Sequence, residues 1–286
     1  MSNNVYKNKN IYFKEAFMEI KDMQSVAKEI RKDIIEMIYR AKSGHPGGSL
    51  SITDIITVLY WKEMNIDPSN PKMPNRDRFI LSKGHAAPAL YGALMEKGYV
   101  DKKYVTELRK YGSPLQGHPD MKKLNGVEMS TGSLGQGLSA GNGMALASRI
   151  DNNPYRVYVA LGDGELQEGQ VWEAAMTSAQ YKLDNVVAIV DYNNLQIDGK
   201  VSDVMDVYPI TDKFKAFNWH VIEIDGHNYE QIIAAFDEAR TVKGKPTVIV
   251  AKTVKGKGVS FMENNGDYHG KAPSDDEYTR AMEELK

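Results

Sequence analysis

Residues 156–194 read RVYVALGDGELQEGQVWEAAMTSAQYKLDNVVAIVDYNN, and this stretch decides the fold. Residues 156–161 are an apolar run of strand length, residues 168–181 carry apolar positions at helical spacing, and residues 185–191 are a second apolar run. Strand, helix and strand in that order predict two parallel strands of one sheet, both buried. Gly162-Asp163-Gly164 follows the first strand and Asn193-Asn194 follows the second, thirty positions on. Both motifs therefore fall at carboxyl strand ends, the edge where open α/β sheets bind ligands. Taken alone, each is what any turn contains; their placement at successive strand ends singles them out. Asp163, Asn193 and the backbone carbonyl of Leu195 offer three hard oxygens. Magnesium takes such ligands octahedrally and keeps part of its shell for phosphates and water. Gly164, lacking a Cβ, lets the backbone approach a diphosphate closely.

The alternation extends outward. Helices are expected over residues 23–42, 51–64 (capped by Ser51 or Thr53), 86–97, 101–111, 135–150 and 229–242, and strands over 79–82, 219–225 and 246–253. Residues 65–77, rich in Pro and Asn, read as a loop. The pattern predicts an α/β chain, a parallel sheet flanked by helices on both faces, and no linker divides residues 1–286 into separate domains. A 42% hydrophobic content is ample for a core. With 36 basic and 38 acidic residues the net charge is −2, which gives no field for nucleic acid. The absence of cysteine excludes disulfides, thiolate metal sites and a thiol nucleophile. The first seventeen residues lack the apolar core of a signal peptide, and the longest apolar run, residues 55–61, is too short to span a bilayer. A cytoplasmic protein with no membrane partner is the expectation.

Five loops concentrate Gly, His and small polar residues: 43–49 (SGHPGGS), 83–85 (KGH), 117–120 (GHPD), 130–137 (STGSLGQG) and 269–273 (HGKAP). They hold His45, His85, His118 and His269, rings that can donate and accept hydrogen bonds near neutral pH. His220 and His227, in or just after a strand, read as structural. Residues 130–137 look like a backbone cradle opening a helix, a common anion contact, and Lys83 is a candidate point charge for phosphate.

These motifs carry a resemblance. AKSGHPGGSLS, RFILSKGHAAPALY, QGHPD, STGSLGQGLSAGNGMA, GDGELQEGQVWEAA, DYNNLQIDG and HGKAP occur in the order found in transketolases, from about Ile30 to Pro273. The resemblance implies a thiamine diphosphate-binding fold and a cofactor whose thiazolium ylid attacks a ketose carbonyl. It places Asp163, Asn193 and the Leu195 carbonyl on Mg2+ (or Ca2+ or Mn2+ in its stead). Gly162, Gly164 and Glu165 fall at the diphosphate, with Lys83, His85, His269 and Lys271 nearby. Gly132, Ser133 and Leu134 fall by the cofactor rings. His45, His118 and His269 match histidines facing the sugar, and Glu168 matches a glutamate at the subunit interface. HGKAP departs from the two-histidine form of this loop in other branches of the family.

The resemblance covers only the diphosphate-binding half of a full-length member. It implies that the pyrimidine-binding and C-terminal domains lie on a separate chain, in an α2β2 heterotetramer acting on a sugar phosphate or sulfosugar. The alternatives are a cofactor-holding subunit without catalysis, the alpha subunit of a 2-oxo acid dehydrogenase, which lacks the SGHPGG, KGHAAPALY and GHPD loops, and a magnesium phosphohydrolase, which needs a second metal or an in-line nucleophile.

Overall fold

The computed structural model describes residues 18–197 and 199–286; the N-terminal stretch read above for a signal peptide lies outside them. Five parallel strands, β1 (Arg78–Leu81), β2 (Val157–Gly162), β3 (Val186–Tyr192), β6 (His220–Asp225) and β7 (Thr247–Lys252), pair in the order β1-β2-β3-β7-β6. A two-stranded antiparallel ribbon, β4 (Leu195–Gln196) with β5 (Gly199–Lys200), follows β3. The helices are α1 (Ile20–Ala41), α2 (Pro46–Val58), α3 (Ala87–Lys97), α4 (Gln136–Ile150), α5 (Gly169–Gln180), α6 (Val201–Val204), α7 (Ile210–Ala216), α8 (Tyr229–Thr241) and α9 (Asp275–Glu284).

The period of two along each strand splits the core. Tyr158, Ala160, Val187, Ile189, Ile249 and Ala251 pack on one face with α1, α2, α3 and α8. Val157, Val159, Leu161, Val186, Ala188, Val190, Val248 and Val250 pack on the other with α4, α5 and α7. Because both faces are covered, β2 and β3 read as continuous apolar runs, as expected. At one edge, β6 differs: its residues alternate between part-buried and exposed towards its end, with Glu223 and Asp225 outward.

Two expected elements change. The second helix starts at Pro46, not after Ser51, and closes in a π-helical turn over Leu59–Glu63. Proline suits the first helical turn. The first of the glycines that looked like loop residues sits where a side chain has little room: a Cβ on Gly47 would stand 2.9 Å from Lys255 Cγ and 3.0 Å from the Tyr268 carbonyl. Neither proposed cap acts as one; the Thr53 hydroxyl donates back to the Ser49 carbonyl, and the Ser51 hydroxyl donates to the buried Asp191 carboxylate. The helix expected over 101–111 is only a 3-10 turn, Lys102–Thr106. Arg109 follows in the left-handed region at φ 60°, its N–H donating to the Leu115 carbonyl at 2.8 Å, which turns the chain out of any helix.

Two buried carboxylates behave oppositely. Asp54 accepts both guanidinium nitrogens of Arg31 at 3.0 and 2.7 Å, Nδ1 of His227 at 2.8 Å and the Tyr229 hydroxyl at 2.8 Å. Burial alone would raise its pKa, but Arg31 and His227 hold it below the carboxylate range. Among the described residues Asp33 has one ion-pair partner, Lys102 at 3.4 Å, and its Oδ2 has no hydrogen-bond partner. Burial pushes its pKa up to about 7 from 3.8. Between those values the folded chain holds a proton that the unfolded chain has released, so stability falls as pH rises from about 4 to 7. Asp33→Asn is expected to flatten that fall and raise the unfolding temperature at pH 8 by a few degrees, on the order of 1 kcal/mol; equal temperatures for both proteins at pH 5 and pH 8 would refute it.

Candidate active site

Four strands each send a polar residue past their carboxyl ends into one place: Lys83 after β1, Asp163 after β2, Asn193 after β3 and Lys255 after β7. With His45, Gly48, His85, Gly132, Leu134, Gly162, Gly164, Glu165, Glu168, Leu195 and His269 they line a cavity of about 300 Å³. Parallel pairing enforces this convergence, since Gly162 stands opposite Asp191 and Asp191 opposite Ala251 in register.

Asp163 is 3% exposed. Its carboxylate accepts the backbone N–H groups of Gly164, at 2.8 Å, and Asn194. Burial, aided by the nearby charge of Asp191, pushes its pKa up to about 6 despite those bonds. A carboxylate held this way is stabilised by any cation that reaches it. Asn193 Oδ1 accepts the Leu195 N–H at 3.1 Å, and the Leu195 carbonyl accepts from Lys255 Nζ at 2.9 Å. Among the described residues no group of three or more His, Cys, Asp or Glu is arranged for a metal. The candidate ligands are instead one carboxylate, one amide and one carbonyl, an oxygen set that fits a hard divalent cation. Gly164 suits close approach: a Cβ there would come within 3.3 Å of Gln196 Oε1.

The histidines form a cluster on this cavity. Ring centroids lie 5.3 Å apart for His45 and His85, 5.5 Å for His45 and His269, and 5.2 Å for His85 and His269. Burial drives the pKa of His45 down to about 4, with Arg109 and His118 adding to the effect. His269 goes to about 3 by burial and the Lys255 charge, and His85 falls well below its usual value by burial and Lys83. All three rings are neutral near pH 7, able to donate at one nitrogen and accept at the other. His118 stands beside the cradle, its Cγ 3.1 Å from where a Cβ on Gly132 would be. His220 bonds Glu238 at 2.7 Å. His227 joins Asp54 to the Val254 N–H, which reaches Nε2 at 2.9 Å. Both lie outside the cluster.

Glu165 is buried and does not point freely at the cavity; its Oε1 accepts Ser82 and the Gly135 N–H at 2.9 Å, and its Oε2 accepts the Gly162 N–H at 3.0 Å. It ties the Gly162 loop to the cradle, and burial raises its pKa. Glu168 lines the cavity with an exposed side chain. Ser133 is exposed beside the lining residues Gly132 and Leu134. Lys271 is exposed, sits 3.4 Å from Glu277 and 5.0 Å from the Tyr268 ring centroid, and is not part of the lining. The acidic first turn of α9 draws it away.

Sequence reasoning missed Lys255. It is 2% exposed, donates to the Leu195 carbonyl and contacts His269 Nδ1 at 2.8 Å. A signal existed: Lys255-Gly256 follows a strand as Lys83-Gly84 does. Burial and the Lys83 charge lower its pKa to about 8.

The sequence profile of the family described as "Transketolase, thiamine diphosphate binding domain" matches residues 22–285. The chain belongs to the transketolase family. It is 46% identical over 265 residues to the 6-deoxy-6-sulfo-D-fructose transketolase subunit SqwG of a Clostridium species, covering 93% of this chain and 96% of that one. It is 42% identical over 268 residues to an apulose-4-phosphate transketolase subunit of Phocaeicola vulgatus, covering 94% and 95%. Human transketolase is 43% identical over 263 residues, 91% of this chain but 41% of the human protein. The solved Campylobacter jejuni transketolase superposes with a TM-score of 0.88 at 35% identity, over 94% of this chain and 43% of that chain. The chain therefore matches transketolase subunits over nearly their whole length and longer transketolases over less than half of theirs.

Proposed function

We propose that this chain is the diphosphate-binding subunit of a two-subunit transketolase. It works in the cytoplasm in an α2β2 assembly with a subunit that supplies the pyrimidine-binding and C-terminal domains. The reaction moves a two-carbon ketol unit from a ketose phosphate, or a modified ketose such as a sulfosugar, to an aldose phosphate, with thiamine diphosphate and Mg2+. The observation that carries the reading is the juxtaposition of Asp163, Asn193 and Leu195 with the neutral His45, His85 and His269 around one cavity. Its support in extent comes from relatives named as separate subunits.

The residues divide the work. Asp163, Asn193 and the Leu195 carbonyl would hold the cation, and Gly162, Gly164, Lys83, Lys255 and His85 would face the diphosphate. When bound, thiamine diphosphate supplies the carbon nucleophile that protein side chains lack. Gly132 to Leu134 would flank its rings. His45, His118 and His269 would hold the sugar's hydroxyl and carbonyl oxygens and move protons there, with no charge to be desolvated first. Glu168 has no side-chain hydrogen bond or ion pair among the described residues, as suits a carboxylate awaiting the partner subunit.

The experiment mixes this chain with its pyrimidine-domain subunit, thiamine diphosphate and Mg2+, and assays two-carbon transfer from a panel of ketose phosphates and sulfonated ketoses. Transfer from none of them, with cofactor bound, would leave a cofactor-holding subunit as the reading. Lys255→Met should weaken cofactor binding about 10-fold or more, the worth of one charge-assisted hydrogen bond, read by calorimetric titration. Unaltered affinity would remove Lys255 from the diphosphate site.

A further inference from the structure

Asp191 lies on β3, paired in register with Gly162 and Ala251, and it is completely buried. It does not line the cavity, so it cannot touch a bound ligand. Its carboxylate instead collects side chains from around it: Ser51 Oγ of α2 at 2.6 Å, Lys83 Nζ beyond β1, Thr253 Oγ1 beyond β7 and, at 3.5 Å, Nδ2 of Asn193. Lys83 Nζ also donates to the Gly48 carbonyl at 2.7 Å. Two of its three hydrogens are thus committed, and one is left for the cavity that Lys83 lines.

A buried ion pair is a weak device for stability, because desolvation offsets the attraction and an apolar pair of similar volume does as well. An apolar pair could not hold a cation at a fixed point on a cavity wall. A lysine side chain has four rotatable bonds and much rotamer entropy to lose on ordering. Here that ordering is complete before any ligand arrives, since the carboxylate and the Gly48 carbonyl clamp the ammonium from two sides. A carboxylate clamped by two hydroxyls has no freedom of its own to follow the lysine. The hydroxyls come from α2 and the end of β7, so the clamp also keys the ammonium to the helix that carries His45 at its N-cap and to the loop that carries Lys255.

We propose that Asp191 is a positioning residue of the diphosphate subsite: it fixes the Lys83 ammonium where an anionic oxygen of the cofactor will sit. This rests on the reading of the cavity as a thiamine diphosphate site. The test titrates the full-length chain, alone and with its partner subunit, with Mg2+ plus thiamine diphosphate and with Mg2+ plus inorganic pyrophosphate. Wild-type chain that binds neither probe would overturn the reading of the cavity, and the inference with it.

Given wild-type binding, the variants decide the role of Asp191. Asp191→Glu keeps the charge pair but displaces the ammonium; the expected result is the wild-type unfolding temperature within a few degrees and both probes bound about 10-fold more weakly. Asp191→Asn removes the charge and should weaken both about 10- to 100-fold, the usual scale for a group supporting a ligand-contacting residue. Its effect and that of Lys83→Met should not add in the double variant, because both act through one ammonium. A purely structural Asp191 would lower the unfolding temperature and leave affinity alone. Wild-type affinity in folded Asp191→Glu, or full additivity with Lys83→Met, overturns the proposal. Where Asp191→Asn does not fold, the Glu variant decides alone.

Discussion

Asp163→Ala is expected to abolish magnesium-dependent binding of thiamine diphosphate while the chain stays folded. Asp163 is the one carboxylate in the candidate ligand set, and its charge is held in a nearly water-free place. The loss should be about 100-fold or more, since a carboxylate on a divalent cation contributes more than the about 1.5–3 kcal/mol of a charged hydrogen bond. The fold should tolerate the change. Burial already disfavours the ionised form, as its raised pKa shows, so removing the carboxyl relieves that penalty and offsets the lost bonds to the Gly164 and Asn194 N–H groups. Calorimetric titration with the cofactor and Mg2+, paired with thermal unfolding, separates the two effects. Wild-type affinity would falsify the ligand assignment.

His118→Ala, reconstituted with the partner subunit, should lower turnover by about 100- to 10,000-fold, the range for a positioned proton donor or acceptor, with cofactor affinity nearly unchanged. The Tyr91 hydroxyl lies 2.9 and 3.0 Å from the Gln116 and His118 carbonyls and shares its one proton between them, which holds the loop whatever side chain it carries. The ring itself is not part of the cavity lining and stands outside Gly132. Burial and the Arg109 charge lower its pKa, so the neutral ring persists to lower pH than a free histidine's. His227→Ala is the control. It breaks the bridge from Asp54 to the Val254 N–H, and it should cost stability, about 1–3 kcal/mol, with a much smaller change in rate where the variant is folded. Full rate in His118→Ala, or its loss in folded His227→Ala, would redraw the pocket around other loops.

The strands were legible because burial on both faces leaves a mark that needs no partner to interpret: runs such as VYVAL and VVAIV admit no other use in a chain of this composition. The convergence of Asp163 and Asn193 was legible for the same reason, since parallel strands must end on one edge. The start of α2 was not. Its Pro-Gly-Gly run has the composition of a loop, and only the positions of Lys255 and the Tyr268 carbonyl explain Gly47. Lys255 and Asp191 were hidden for a related reason. Each acts across a long stretch of sequence, Lys255 on Leu195 and His269, Asp191 on Ser51 and Lys83. A lone Lys or a strand-terminal Asp has no local pattern that separates it from a solvated one. Lys271, which only the resemblance placed near the diphosphate, lies 3.4 Å from the Glu277 carboxylate, which accepts the Ser274 N–H while the Glu277 N–H donates to Ser274 Oγ in the capping box of α9.

Among the described residues β6 has no strand on its outer side, which bears on how copies of the chain meet in solution. A strand whose outer N–H and C=O groups face water is a template on which another chain can polymerise. Here Glu223 and Asp225 stand in register with Val250 and Lys252 and share their face of the sheet, while the part-buried Ile222 and Ile224 pack on the other. Two such flanks brought together would set carboxylate against carboxylate along the seam. The same short run of sequence that finishes the sheet thus sets like charges in the way of edge-to-edge pairing between two copies.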